Sequence, residues 1–266
     1  MNKPMSKNRN LGFTLIELVL VIAILSIISV GFIGFINIGS NVYQNVSNRD
    51  ALISDARFSV ERLNRELRNA LPNSIRIIDD GSTQCLEFVP IMASSIYLNI
   101  PVFPDTARDT LDIIKASVDY QTNTSDRVVV YPIDANDAYD PATSNKSVDL
   151  QSVDKSAGNR WVITVESDIS FAADSPNERL FIVSEPVSYC ATGNSLHRHD
   201  NYGFNVNQAI LVGGVLMAEN INVSDGFPFT FDPKLQSDAI VQVDLRFTRN
   251  NETVFFSNGV HITNVP

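Results

Sequence analysis

The sequence predicts an α+β fold: a long N-terminal helix, membrane-spanning in its first half, packed on a mainly antiparallel β-sheet head. Three observations carry that prediction. An uncharged apolar run fills residues 18–36, the helical period continues beyond it as an amphipathic stretch, and from Ser74 onward short β-rich runs replace that period.

The apolar run reads LVLVIAILSIISVGFIGFI from Leu18 to Ile36. At 1.5 Å per residue it makes about 28 Å of helix, close to the ~30 Å hydrocarbon core of a bilayer. Phe13 to Ile16 lengthen it, and Glu17 sits near one end. Lys3, Lys7 and Arg9 precede it, and no charge lies between Glu17 and Arg49. The positive-inside tendency then keeps the leader in the cytoplasm and places the body outside. In a bacterial envelope that is a single-pass inner-membrane protein with a periplasmic C-terminal domain. Two bland readings compete. A secretory signal has a shorter apolar core ending at an A-x-A-like site, whereas this core runs into Asn37-Ile38-Gly39-Ser40-Asn41, a weak site. A plain uncleaved anchor is the other.

Past Ser40, Val42, Val46, Ile53, Ala56, Val60, Leu63, Leu67 and Ala70 recur at intervals of three or four, broken once at Arg49. Glu61/Arg65 and Arg62/Glu66 stand at i,i+4 spacing on the polar faces. Pro72-Asn73 is a stop signal. A continuous helix from Phe13 to Leu71 has about 59 residues and a length of about 88 Å, too long for one compact domain of this size to enclose. Gly31, Gly34 and Gly39 interrupt the apolar half, each costing about 1 kcal/mol relative to alanine. Close packing of neighbouring helices and local unwinding both explain them.

From Ser74 the candidate strands are Cys85–Ile91, Leu111–Tyr120, Arg127–Ile133, Trp161–Glu166, Arg179–Ser184, Ala209–Val215 and Val254–Ser257. The clearest alternation is Ala239, Val241, Val243, Leu245 and Phe247, a half-buried strand paired through the Asn250-Asn251 turn with Glu252–Ser257. Residues 136–157 are polar and poor in large apolar side chains, which predicts a long surface loop. Asp134, Asn136, Asp137 and Asp140 supply oxygens near it, but an EF-hand register from Asp134 puts Tyr139 and Asn145 where Gly and Glu belong. A solvated acidic loop is expected. His197-Arg198-His199-Asp200 lacks an evident third metal ligand and reads as an exposed polar loop.

Composition excludes several classes. A net charge of -10 with no run of Lys or Arg argues against nucleic-acid binding, which depends on neutralising phosphates. Cys85 and Cys190 are too few for a disulfide scaffold and lack zinc spacing. No nucleophile elbow, phosphate-binding glycine loop, H-E-x-x-H or Cys/His pair is present. No enzyme, cofactor or metal site is expected.

The most specific signal is Gly12-Phe13-Thr14-Leu15-Ile16-Glu17, between the basic leader and the apolar run. It resembles the processing signal of type IV prepilins and pseudopilins. The resemblance implies that a membrane prepilin peptidase/methyltransferase cuts after Gly12 and methylates the new terminus, making Phe13 an N-methylphenylalanine. Glu17 corresponds to the family's carboxylate in the first helical turn. The physics agrees with that role. A carboxylate within a membrane segment is costly unless paired, and the ammonium that cleavage leaves on Phe13 stays mostly charged at neutral pH. Phe13 and Glu17 share a helical face, and the resemblance favours an assembly charge pair between Glu17 and a neighbour's terminus. A solvated Glu17 at the bilayer edge is the alternative.

The resemblance extends to Ala56–Ser74, Cys85–Pro90 and the closing Val260–Pro266, which look like the large minor pilins of the mannose-sensitive haemagglutinin (MSHA) type. It implies a low-abundance subunit that primes or supports pilus biogenesis, with a fold like the larger J-type pseudopilins. The implied partners are the peptidase, other major and minor pilins through the N-terminal helix, the inner-membrane assembly platform and the membrane, with no nucleic acid. The organisation is then residues 1–12 as leader, 13–40 as transmembrane assembly helix, 41–71 as amphipathic continuation and 72–266 as β-rich periplasmic head. A head of that size is awkward to tile around a thin filament, which favours a place near the tip, below the outermost subunit. A J-type pseudopilin of type II secretion is the alternative, and a membrane-anchored periplasmic sensor or enzyme is a further one. Because the periplasm is oxidising, Cys85 and Cys190 are expected to form a disulfide.

Overall fold

In a computed structural model, the described residues are 13–116, 119–223, 226–232, 238–250 and 252–263. The chain divides into two compact units after Asp50. Helix α1, Leu15–Leu67, contributes to both, and each unit is described by itself.

In the first unit α1 is unbroken through Gly31, Gly34 and Gly39, and a Cβ built at any of the three meets nothing within 4 Å. The chain's own packing therefore does not require glycine there. Leu15 to Val46 carry a long series of exposed large apolar side chains, among them Leu18, Ile24, Phe32 and Phe35. The helix is long and apolar enough to cross a membrane, and none of its most apolar stretch is buried within the protein.

The second unit begins on the helix with buried Leu52, Ala56, Ser59, Val60, Leu63 and Leu67. Their three- and four-residue spacing makes one apolar face. The last turn tightens, with Asn69 N–H donating to Glu66 C=O at 3.0 Å and Ala70 N–H to Leu67 C=O at 3.1 Å. The helix stops at Leu67, before the expected Leu71; Pro72 offers no N–H for continuation.

Strands β1 (Arg76–Asp79) and β2 (Thr83–Phe88) follow. Next come β3 (Ile91–Asn99), β4 (Arg108–Ile114), β5 (Arg127–Val130), the short helices α2 (Asn136–Tyr139) and α3 (Pro141–Ser144), β6 (Ser147–Asp154), β7 (Arg160–Ile169) and β8 (Arg179–Val183). The chain returns through β9 (Val187–Thr192), β10 (Ser195–His199) and β11 (Val215–Glu219), then β12 (Phe229–Asp232), β13 (Asp238–Arg249) and β14 (Glu252–Thr263). One sheet has the order β1-β2-β9-β10-β11, a second has β12-β13-β14, and β3-β4-β7-β6-β5-β8 closes into a barrel. The named strand pairs are antiparallel. The architecture is the expected α+β: a long apolar helix, then antiparallel sheet.

Two main cores result. The first packs the buried face of α1 against Leu86, Phe88, Tyr189, Leu196, Val241, Leu245 and Phe247 of the two sheets. The second fills the barrel with Tyr97, Leu111, Ile113, Leu150, Trp161, Ile163 and Leu180, among others. A smaller cluster of Leu71, Val89, Val129, Ala138, Tyr139, Phe181 and Val183 joins them.

Several expectations need correction. Residues 136–157 do not form a surface loop. They hold α2, α3 and β6, with Asp137, Ala138 and Tyr139 buried and Val148 and Leu150 pointing into the barrel. The polar outer face of β6 disguises the strand. Ala209–Val215 is not a strand either; pairing begins only at Val215, where β11 adds to β10. The β13–β14 hairpin forms as expected, with Arg249 opposite Glu252 and Asn250 at φ 51°, in the left-handed region that suits asparagine in a two-residue turn. Helix α1 also keeps one of its two spaced ion pairs in view, Arg62 Nε to Glu66 Oε1 at 2.9 Å.

Candidate functional site

Phe13 is 80% exposed, immediately ahead of the helix; Gly12 and the leader lie outside the described residues. Thr14 acts as the cap. Its carbonyl accepts from Glu17 N–H at 3.1 Å and from Leu18 N–H at 3.2 Å, and its Oγ1 receives a longer contact from Glu17 N–H at 3.4 Å. Glu17 is therefore the third residue of α1 and the acidic residue of its first turn, where the helix dipole favours a negative charge. Thr14 received no role of its own from the sequence, although Thr-x-x-Glu ahead of an apolar run is a capping-box pattern. The local geometry thus anchors Glu17 in the first turn, four residues after Phe13.

A second concentration of charge lies where the helix meets the first sheet. Glu66 accepts from Arg62 at 2.9 Å, from Arg198 Nε at 2.9 Å and from the Tyr189 hydroxyl at 3.0 Å, and Arg198 also pairs with Asp200. Burial pushes the Glu66 carboxyl up, but the hydrogen bonds from Arg198 and Arg62 outweigh it and hold the group below the ordinary range. Burial alone pushes the Tyr189 hydroxyl well up, and the Glu66 charge adds to it. Glu66, Arg198 and Asp200 border a cleft of about 600 Å³ that Arg65, Asn123, Glu185 and Asn201 also line. The network is a support: each charged member is matched by a partner, which fixes the helix end on the sheet.

His197-Arg198-His199 is accordingly not an exposed loop but strand β10. Residues two apart on a strand share a face, yet His199 is buried and His197 only half-buried. The His199 ring packs on Gly214, whose φ is +85° and whose Cβ position would lie 2.7 Å from Cε1. Its Nε2 is buried without a hydrogen-bond partner. Burial lowers the pKa and the neighbouring His197 charge lowers it further, against Asp200, which raises it. Because the folded value is depressed, the stabilisation is complete above the unfolded value of about 6.5 and is lost as pH falls below it. Asp126, whose carboxyl burial pushes up, works in the opposite direction in acid. The expected result is that His199→Asn flattens the fall in melting temperature between pH 7.5 and 5.5. Parallel pH profiles of the two proteins would remove this role from His199.

The acidic segment near Asp134 is also not a solvated loop. Asp137 Oδ2 accepts from the backbone N–H groups of Ile133 and Asp134 at 2.8 and 3.0 Å, and pairs with Lys146 Nζ at 3.0 Å. Asp134 Oδ1 accepts from Asn136 N–H at 2.9 Å, and Asp140 accepts from the Thr143 hydroxyl at 2.7 Å. These carboxylates build the turns that connect β5 to β6 of the barrel. Among the described residues, no group of three or more His, Cys, Asp or Glu side chains is arranged to hold a metal ion.

Cys85 and Cys190 form a disulfide between directly opposed residues of β2 and β9, closing a sequence separation of 105 residues. Neither cysteine reaches solvent appreciably.

Comparison with known proteins gives one match. Residues 7–33 fit the family model described as the prokaryotic N-terminal methylation motif. No significant match was found among curated proteins or solved structures. The matched stretch contains Gly12, Phe13, Thr14 and Glu17 together with most of the apolar run that begins at Leu18. It supports a type IV prepilin-like chain processed by a prepilin peptidase, and the apolar helix fits a membrane-anchored pilin.

Proposed function

We propose that this chain is a minor pilin of a type IV pilus of the MSHA kind, a structural and non-catalytic subunit acting in pilus assembly or priming near the tip. The observation that carries the type IV pilin part of the reading is the methylation motif at residues 7–33, set directly on an exposed apolar helix; the MSHA kind rests on the resemblance of Ala56–Ser74 and Cys85–Pro90. Before assembly the precursor crosses the inner membrane once, with its head in the periplasm. A prepilin peptidase cuts between Gly12 and Phe13 and methylates the Phe13 amine. The helix then leaves the lipid for a bundle with other major and minor pilins, drawn by the assembly platform.

Glu17 has a defined task in that transfer. A carboxylate held in the first turn, in apolar surroundings, needs a cation, and the methylated terminus of a neighbouring subunit supplies one. Glu17→Ala should leave cleavage largely intact while lowering the ratio of filament-bound to membrane-pool protein several-fold. An unchanged ratio in sheared filaments would show that Glu17 has no assembly role.

N-terminal sequencing with the peptidase present and absent tests the reading as a whole, because only the processed form begins at Phe13. Deleting the gene should reduce filaments per cell while the shafts that form keep normal structure. Lost export of folded proteins with filament number unchanged would move the chain to a secretion system. Even labelling along the shaft, at the main pilin's stoichiometry, would defeat the tip position.

A further inference from the structure

The barrel is inserted between two strands that are partners of each other. Strand β2 ends at Phe88, β9 begins at Val187, and Phe88 lies opposite Val187 in the antiparallel register. Everything from β3 to β8 leaves and re-enters the sheet at that one point. No barrel strand is shared with either sheet. The two main cores are also disjoint in sequence. The helix-and-sheet core draws on Leu52 to Phe88 and Val187 to Ile262, and the barrel core on Ala93 to Ile182.

We propose that the barrel is a separately folded module displayed by the subunit, and that the filament-building function resides in residues 13–88 and 187–263. This rests on the filament-subunit reading above and divides its labour: the helix and sheets assemble, and the barrel carries a role outside assembly. Each part closes its own antiparallel hydrogen bonding and its own apolar core, which are the conditions for an independent cooperative unit.

What holds the module in place is a local seam, polar at the strap and apolar beneath it. The segment after β10 crosses the neck as a strap. The Tyr202 hydroxyl donates to Glu87 Oε1 at 2.7 Å, and Phe204 stacks against the Arg127 guanidinium at 3.9 Å. Arg76 pairs with Glu87, donates to the carbonyls of Asn205 and Val206 at 2.6 and 2.8 Å, and lies 3.5 Å over the Tyr139 ring. One side chain thereby ties β1, the strap and the α2 turn together. The small cluster around Leu71 and Tyr139 completes the seam. Backbone bonds from Ile91 N–H to Asn69 C=O at 2.9 Å and from Leu71 N–H to Val89 C=O at 2.7 Å also cross the neck, but no named barrel strand pairs with a named strand of either sheet.

Topology supplies the test. Residues 89–186 are replaced by Asn-Gly, which turns β2 and β9 into a hairpin with the two-residue connection already used between Arg249 and Glu252. In a strain lacking the chromosomal gene, the full chain should enter filaments and restore their number; if it does not, the filament-subunit reading itself fails. Given that it does, the shortened chain should be processed, enter filaments and restore their number to within about twofold of the full chain. Normal processing with no filament entry would overturn the proposal.

Because removing the barrel uncovers Leu71, hydrogen exchange on the full chain provides a second, independent measurement. Ile163→Ala, deep in the barrel, should speed exchange of barrel amides by about tenfold or more while β2, β9 and β13 amides keep wild-type protection. Equal loss of protection in both cores would mean a single cooperative unit and would also overturn the proposal, whatever the shortened chain does.

Discussion

Gly12→Val should keep the chain at full length in the membrane. The resemblance to prepilins makes Gly12 the residue behind the scissile bond, where the peptidase must accommodate a backbone without a side chain. A β-branched residue there is both bulky and stiff about χ1. The match over residues 7–33 includes this position and the start of the apolar helix. The expected result is near-complete loss of the processed form, read as intact mass or as mobility on a gel, with the leader of residues 1–12 retained. Filament entry should fall with it, because an unprocessed chain has no ammonium at Phe13 to offer a neighbour. A mutant that matures normally would take away the main support for the filament reading.

The same position shows what a sequence can disclose alone. The leader, Gly12, Phe13, Glu17 and the apolar run are consecutive, so their chemistry is local and legible. The helix was legible for the same reason, since its buried face follows from the period of Ala56, Val60, Leu63 and Leu67. The β13–β14 hairpin could also be read, because alternation and an Asn-Asn turn are short-range signals.

The barrel was not legible, and the reason is physical. Closure depends on which strands pair over long sequence distances, as β3 and β5 both do with β8. A polar-faced strand such as β6 gains its identity only when Val148 and Leu150 find the interior. Tertiary context overrides local propensity in such cases. The ionic network was half legible. Arg62–Glu66 follows from helical spacing, whereas Arg198 reaches Glu66 only because β10 lies beside the helix end. Asp137 looked like a solvated acid because its partner Lys146 sits across two short helical turns that sequence reasoning did not foresee.

Replacing both cysteines by alanine should lower stability more than any other change to the head that leaves its surface intact. The disulfide joins Cys85 and Cys190 across a separation of 105 residues, so its loss frees a long loop in the unfolded chain. In the chain-entropy model such a loop corresponds to about 4–5 kcal/mol, an upper figure because residual structure in the unfolded chain reduces it. At the low end of a typical domain stability of about 5–15 kcal/mol, that is enough to leave a substantial fraction unfolded. The position sharpens the expectation. β2 is buried along its whole length, β9 along most of it, and they form the neck through which the barrel enters. The double variant should therefore show a lower denaturation midpoint under non-reducing conditions, with protection lost first at amides of β2 and β9. Trp161 and its neighbours inside the barrel should keep their protection longest, since the barrel's own strands do not depend on that link. An unchanged midpoint would mean that the two sheet strands hold the neck without the covalent bond. Simultaneous loss in neck and barrel would show that the disulfide also supports the inserted module.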